Sequence, residues 1–200
     1  MNSHSVYKPE KEEALSDRRA LLLAASSLFL FGAFFGSALY RILGIGEKSL
    51  YDGLILRFFH SLFEDCDGFP AVLAVFADCL SHELIPFFLV FVGGFTLFTP
   101  AVSAAVLLVR GSLFGFALTM LEFASLSGIL FDTVAYLIAS GALSVLLILQ
   151  AASAYEFYYP KRSPRLKSKE TLSYLLIFLR LTALAAVNLG LMLFLVYIYL

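Results

Sequence analysis

The chain has 200 residues, 60% of them hydrophobic and 14% charged, with a formal net charge of −1 and a mean hydropathy of +0.89. A soluble domain is about 45–50% apolar and about 25% charged, so these figures exclude an ordinary soluble domain and describe a polypeptide whose main solvent is lipid. A net charge near zero gives no argument for a nucleic-acid partner, and in a membrane protein the side on which each charge lies matters more than the sum.

A helix needs about 20 mostly apolar residues to cross the hydrocarbon core, and every backbone polar group inside must be paired internally. No long polar–apolar alternation suggests barrel strands. The expected fold is therefore an all-α integral membrane bundle of about five transmembrane helices, over residues 20–40, 84–99, 101–121, 126–149 and 172–200. A tail over 1–19 precedes a single multipass domain over 20–200. In the first span Gly36 and Ala38 imitate a signal-peptidase site, but the apolar stretch exceeds the usual h-region of about 7–15 residues. An uncleaved anchor is expected.

Residues 41–83 hold three basic side chains, Arg41, Lys48 and Arg57, against seven acidic ones, and read as external. Within them LYDGLILRFFHSLF, from Leu50 to Phe63, sets Leu50, Leu54, Phe58 and Leu62 on one helical face beside Phe59. Such a helix lies on the membrane surface, either as a cap over helix ends or as a contact surface for a partner. Residues 69–80 repeat the pattern more weakly. For Cys66 and Cys79 three readings stay open: free thiols, a disulfide in an oxidising compartment, or zinc with His60 and His82. The spacing His-x5-Cys-x12-Cys-x2-His does not match structural zinc pairs, and no metal is expected.

From 84 to 155 the chain carries only three charged side chains, Arg110, Glu122 and Asp132. The span over 84–99 is short, and Pro100 follows it. Two parses stay open: a tight turn near Pro100, giving two crossings or a hairpin that enters the membrane only partly, or one long span over 85–109 turning at Arg110-Gly111-Ser112. A charge near the bilayer centre costs about 2.5–3.5 kcal/mol on insertion scales and usually finds a partner inside the bundle. Arg110 with Asp132 is the expected pair, read first as a structural ion pair and second as a transport or relay site. Glu122 is expected at headgroups or water, and Arg180 is expected to snorkel toward the cytoplasmic face.

The linker over 150–171 holds Lys161, Arg162, Arg165, Lys167 and Lys169 against Glu156 and Glu170, so it reads as cytoplasmic. With five spans this places the N-terminus inside and the C-terminus outside.

Helices in lipid associate closely where small residues let backbones approach. The first span has Gly32-x3-Gly36 and the third Gly111-x3-Gly115. The first span LFLFGAFFGSAL, the external stretch with Phe58 and Phe59, and the run FVGGFTLFTP followed by Leu108-Val109-Arg110-Gly111 and Phe114-Gly115-Phe116 together resemble the stage II sporulation protein M family. The similarity covers about half the chain, and Asp132 and the basic linker depart from the pattern. The resemblance implies a non-enzymatic scaffold in the cell membrane of a spore-forming bacterium, anchoring a cell-wall hydrolase complex on its external side during engulfment. It carries over no catalytic residue and no cofactor. A homo-oligomer stays open as a further partner beside membrane lipid. The alternative class is a permease-like subunit served by a separate ATPase at the basic linker. No His-Glu-x2-His, Gly-x-Ser-x-Gly or Walker loop is present. Ser127-Gly128 lacks the preceding glycine of a serine-protease site, and His82-Glu83 with Asp78 read as caps of the second span.

Overall fold

In a computed structural model the described residues are 8–43, 69–123, 130–158 and 168–199. They form five helices and, among them, no strand: α1 Lys8–Ile42, α2 Phe69–Gly93, α3 Thr99–Phe123, α4 Leu130–Tyr158 and α5 Ser168–Tyr199. Four contain stretches long and apolar enough to cross a membrane, Asp17–Ile42, Thr99–Met120, Leu137–Tyr158 and Lys169–Met192. The chain is a multipass membrane protein. The apolar part of α2, Leu80–Gly93, is shorter. At 1.5 Å per residue it covers about 21 Å of a core about 30 Å thick.

Direction settles what α2 does. Gly32 of α1 packs on Leu108 of α3 and Gly36 on Ser112, so four residues forward on one helix is four forward on the other and the two run parallel. Tyr155 reaches the Pro100 carbonyl while Arg110 reaches Ser140, which makes α3 and α4 antiparallel. Gln150 with Tyr174 and Ala139 with Asn188 make α4 and α5 antiparallel in turn. Between two parallel helices the chain must return once across the bundle, and α2 is that return. One end, called the near end below, gathers the start of α1, the α2–α3 turn, the close of α4 and the start of α5.

The turn at 94–98 closes through its own polar groups. The Gly93 carbonyl, left without a helical donor at the end of α2, accepts from the Thr96 N–H at 2.8 Å and from the Thr96 and Thr99 hydroxyls. Pro100 then falls in the first turn of α3, where its missing N–H is no loss. This overturns the parse that turned at Arg110-Gly111-Ser112, since those residues lie mid-way along α3. The stretch over 69–80 proves continuous with the second span in one helix carrying Pro86 inside it. The fourth span also runs on past 149: Gln150, Ala151 and Ala154 are fully buried within α4, so they belong to the bundle and not to the linker.

The core lies along α4, where 61% of the apolar window is buried, against 22% in α1 and α3 and 17% in α5. Leu143, Leu147, Ala151 and Ala154 of α4 meet Phe87 and Val90 of α2, Leu107 of α3, and Leu181 and Ala185 of α5. At the near end Tyr174 stacks on Phe157 at 4.4 Å and Phe91 on Phe178 at 4.2 Å, closing the bundle with rings.

Candidate functional site: a charge pair inside the bundle

Glu83 stands ten residues before the end of α2 and Arg110 eleven after the start of α3. A tight antiparallel hairpin brings residues equally distant from its turn side by side, so both lie about 15 Å from the near end, half-way through a bilayer core about 30 Å thick. The guanidinium grips the carboxylate with two bonds, Nη2 to Oε2 at 2.9 Å and Nη1 to Oε1 at 3.1 Å. Nη2 also donates to the Ser140 hydroxyl of α4 at 3.2 Å. The side chains are 12% and 22% exposed, respectively. A bidentate Arg–carboxylate fork is the strongest and most directional of side-chain ion pairs, and it cancels two charges where lipid tolerates neither.

Arg110 thus meets an acid that the sequence reading had set outside the membrane as a cap. Asp132, the partner expected for it, lies in α4, but its side chain is outside the described residues. Ser140, which Arg110 does reach, is eight residues further along, about 12 Å on the helix rise. Equal spacing from a turn at 94–98 is the signal that would have found Glu83. Three residues after it, Pro86 removes one N–H from the helix ladder. Next to the pair a side groove of about 450 Å³ opens between α2 and α3, lined by His82, Ile85, Pro86, Leu89, Val109 and Leu113.

The four predicted packing glycines do come together. A Cβ on Gly32 would strike the Leu108 carbonyl, on Gly36 that of Ser112, on Gly111 that of Phe29 and on Gly115 that of Ala33. Each glycine therefore lies against the backbone of the opposite helix. The Ser37 and Thr119 hydroxyls lie 2.6 Å apart beyond them, and Tyr40 meets Phe116 edge-on at 5.1 Å.

No match to any family model, curated protein or solved structure was found for the chain. The resemblance to the sporulation family rests on the quoted residues alone.

Leu50, Leu54, Phe58, Phe59, Leu62 and Cys66 lie outside the described residues, as do the side chains of Cys79 and Glu122. Among the described residues no group of His, Cys, Asp and Glu could hold a metal ion. A second polar assembly, missed in the sequence because Gln150 fell in the supposed linker, joins α2, α4 and α5 at the near end. Tyr174 donates to the Phe91 carbonyl at 3.1 Å, and Gln150 Nε2 approaches its hydroxyl at 3.5 Å.

Proposed function

We propose that the chain is a non-enzymatic membrane scaffold whose bundle holds a partner-binding external segment at the membrane surface. The observation that carries this reading is the Glu83–Arg110 fork. These two charges inside the bundle are matched to each other and tied to a third helix by Ser140, as in a lock on helix register. The glycine interlock of α1 and α3 adds to the same rigidity. On this reading the near end, with Arg18, Arg19 and the basic residues after Tyr158, is cytoplasmic, and the external segment begins after Ile42 and ends before α2 enters the membrane, short of Glu83. Cell-wall hydrolases at a bacterial septum are the partners that the resemblance to the stage II sporulation protein M family suggests. Deleting 50–63 is expected to abolish cross-linking to such partners while the chain still inserts. Recruitment that survives the deletion would overturn the proposal.

One observation favours a second reading, a permease-like subunit working with a separate ATPase: the groove of about 450 Å³ opens beside the same charge pair. Solute uptake that fails on loss of either charge, and is not regained when both are replaced by Leu, belongs to that reading. A scaffold regains its function in the double variant.

A further inference from the structure

Arg180 does not follow the rule that intramembrane charges face the bundle interior. At 100° per residue, Tyr174, Leu181, Ala185 and Leu189 form the buried stripe of α5. Lys169, Ser173, Leu176 and Arg180 fall within about 60° of arc on the opposite side, and all four are exposed. Arg180 stands eleven residues into the 24-residue apolar window Lys169–Met192, close to its middle. Neither Arg180 nor Ser173 nor Lys169 has an ion-pair or hydrogen-bond partner among the described residues. Helical serines elsewhere, Ser27, Ser112, Ser144 and Ser153, bond back to the carbonyl four residues earlier. Ser173, like Ser103, does not, and unlike Ser103 it is exposed, so its hydroxyl is available on the outer face. Glu170, the nearest acid in sequence, lies about 100° round the helix from Lys169.

We infer that this stripe is a binding site for an anionic phospholipid of the leaflet at the near end, with the phosphate drawn below the membrane rim between Ser173 and Arg180 and steered there by Lys169. The geometry favours a lipid over an acidic partner helix. Long helical side chains lean toward the N-terminus, over the preceding turn, which directs Arg180 past Leu176 toward Ser173 and the near rim. The polar positions recur along a single line from that rim inward, as a headgroup's path requires. A guanidinium offers a phosphate paired donors, and a serine hydroxyl adds a third. Below Arg180 the same face continues as Leu184, Val187 and Leu191, exposed and apolar, matching an acyl chain.

The test uses the full chain purified from vesicles of mixed phosphatidylcholine and phosphatidylglycerol, with retained lipids counted by native mass spectrometry. One cation near the surface enriches anionic lipid about fivefold, and the wild-type chain is expected to retain phosphatidylglycerol over phosphatidylcholine by at least that factor. Arg180→Gln should lose the enrichment, Ser173→Ala should lower it in part, and Arg180→Lys should keep most of it. Replacing Lys161 and Arg162 by Gln should lower it less than Arg180→Gln alone, although two charges are removed instead of one. Enrichment unchanged in Arg180→Gln overturns the proposal, as does displacement of the lipid by inorganic phosphate alone. A change in oligomeric mass in Arg180→Gln at unchanged lipid retention also overturns it and assigns the stripe to a protein contact. Should Arg180→Gln not accumulate, Lys169→Gln with Ser173→Ala should lower enrichment further than Ser173→Ala alone, and enrichment unchanged in that double variant overturns the proposal.

Discussion

Glu83 and Arg110 are each intolerable to lipid alone and nearly neutral together. Breaking a buried pair by removing one partner destabilises by about 3–5 kcal/mol, whereas replacing both by apolar residues is often neutral. Glu83→Gln or Arg110→Leu alone should therefore depress the folded yield, and Glu83→Leu with Arg110→Leu should restore it, as read by detergent unfolding or fluorescence size exclusion. A double variant no better than the worse single variant would show that the pair does more than cancel charge. Gly94 poses a different residue-scale problem, because a Cβ there would strike the Tyr174 hydroxyl, itself held by the Phe91 carbonyl. Gly94→Ala should cost about 1–3 kcal/mol, the range for overpacking a tight interior, and Tyr174→Phe in the same chain should return part of it. Gly141 has nothing within 4 Å of its would-be Cβ. Gly141→Ala should raise stability by about 0.5–1 kcal/mol through helix propensity alone.

At the scale of elements, α1 depends on α3 more than on any sequence neighbour. The depth of contact follows from four glycines that admit backbone oxygens where side chains would stand. Gly36→Leu or Gly115→Leu should separate the two helices, with a loss of folded protein larger than that of Leu39→Ala on the exposed rim of the same groove. The periodicity and small-residue spacing that locate these contacts were legible in the sequence, because lipid-exposed helices must declare themselves by apolar length and close contacts by missing side chains. Helix ends were less legible. Gln150, Ser153 and Glu156 look like the start of a loop, yet α4 continues to Tyr158, since polar side chains can still be buried where Tyr174 and neighbouring backbone supply partners. The partner of Arg110 was misjudged for a related reason. An acid beside a histidine at the rim of a hydropathy window looks like a cap, and only the exact place of the turn shows that it lies level with the arginine.

Across the whole molecule, helix direction makes a topological claim that composition alone cannot. With α1 and α3 parallel, Arg18, the 94–98 turn and Lys169 share one side of the membrane, and Ile42 lies on the other. Single cysteines at Arg18, Thr96 and Lys169, in a chain with Cys66 and Cys79 replaced by Ser, should react together with an impermeant maleimide from one face only. A cysteine at Ile42 should react from the opposite face. Labelling of positions 42 and 96 from the same face would mean that α2 enters the membrane without crossing it.

The parallel seam between α1 and α3 also bears on how the chain is made. α1 leaves the ribosome before α2 and α3, and its glycine-lined face is satisfied only when they have followed, so it must wait in the bilayer as a separately stable helix. Most of what it then recognises is built from side chains and backbone oxygens of α3, with Glu156 of α4 added through Arg18, and none of it requires a covalent connection through 44–68. Two co-expressed polypeptides, divided anywhere in that stretch, should find each other in the membrane and rebuild the bundle, and a Gly111→Leu change in the second should leave the first unclaimed and open to degradation.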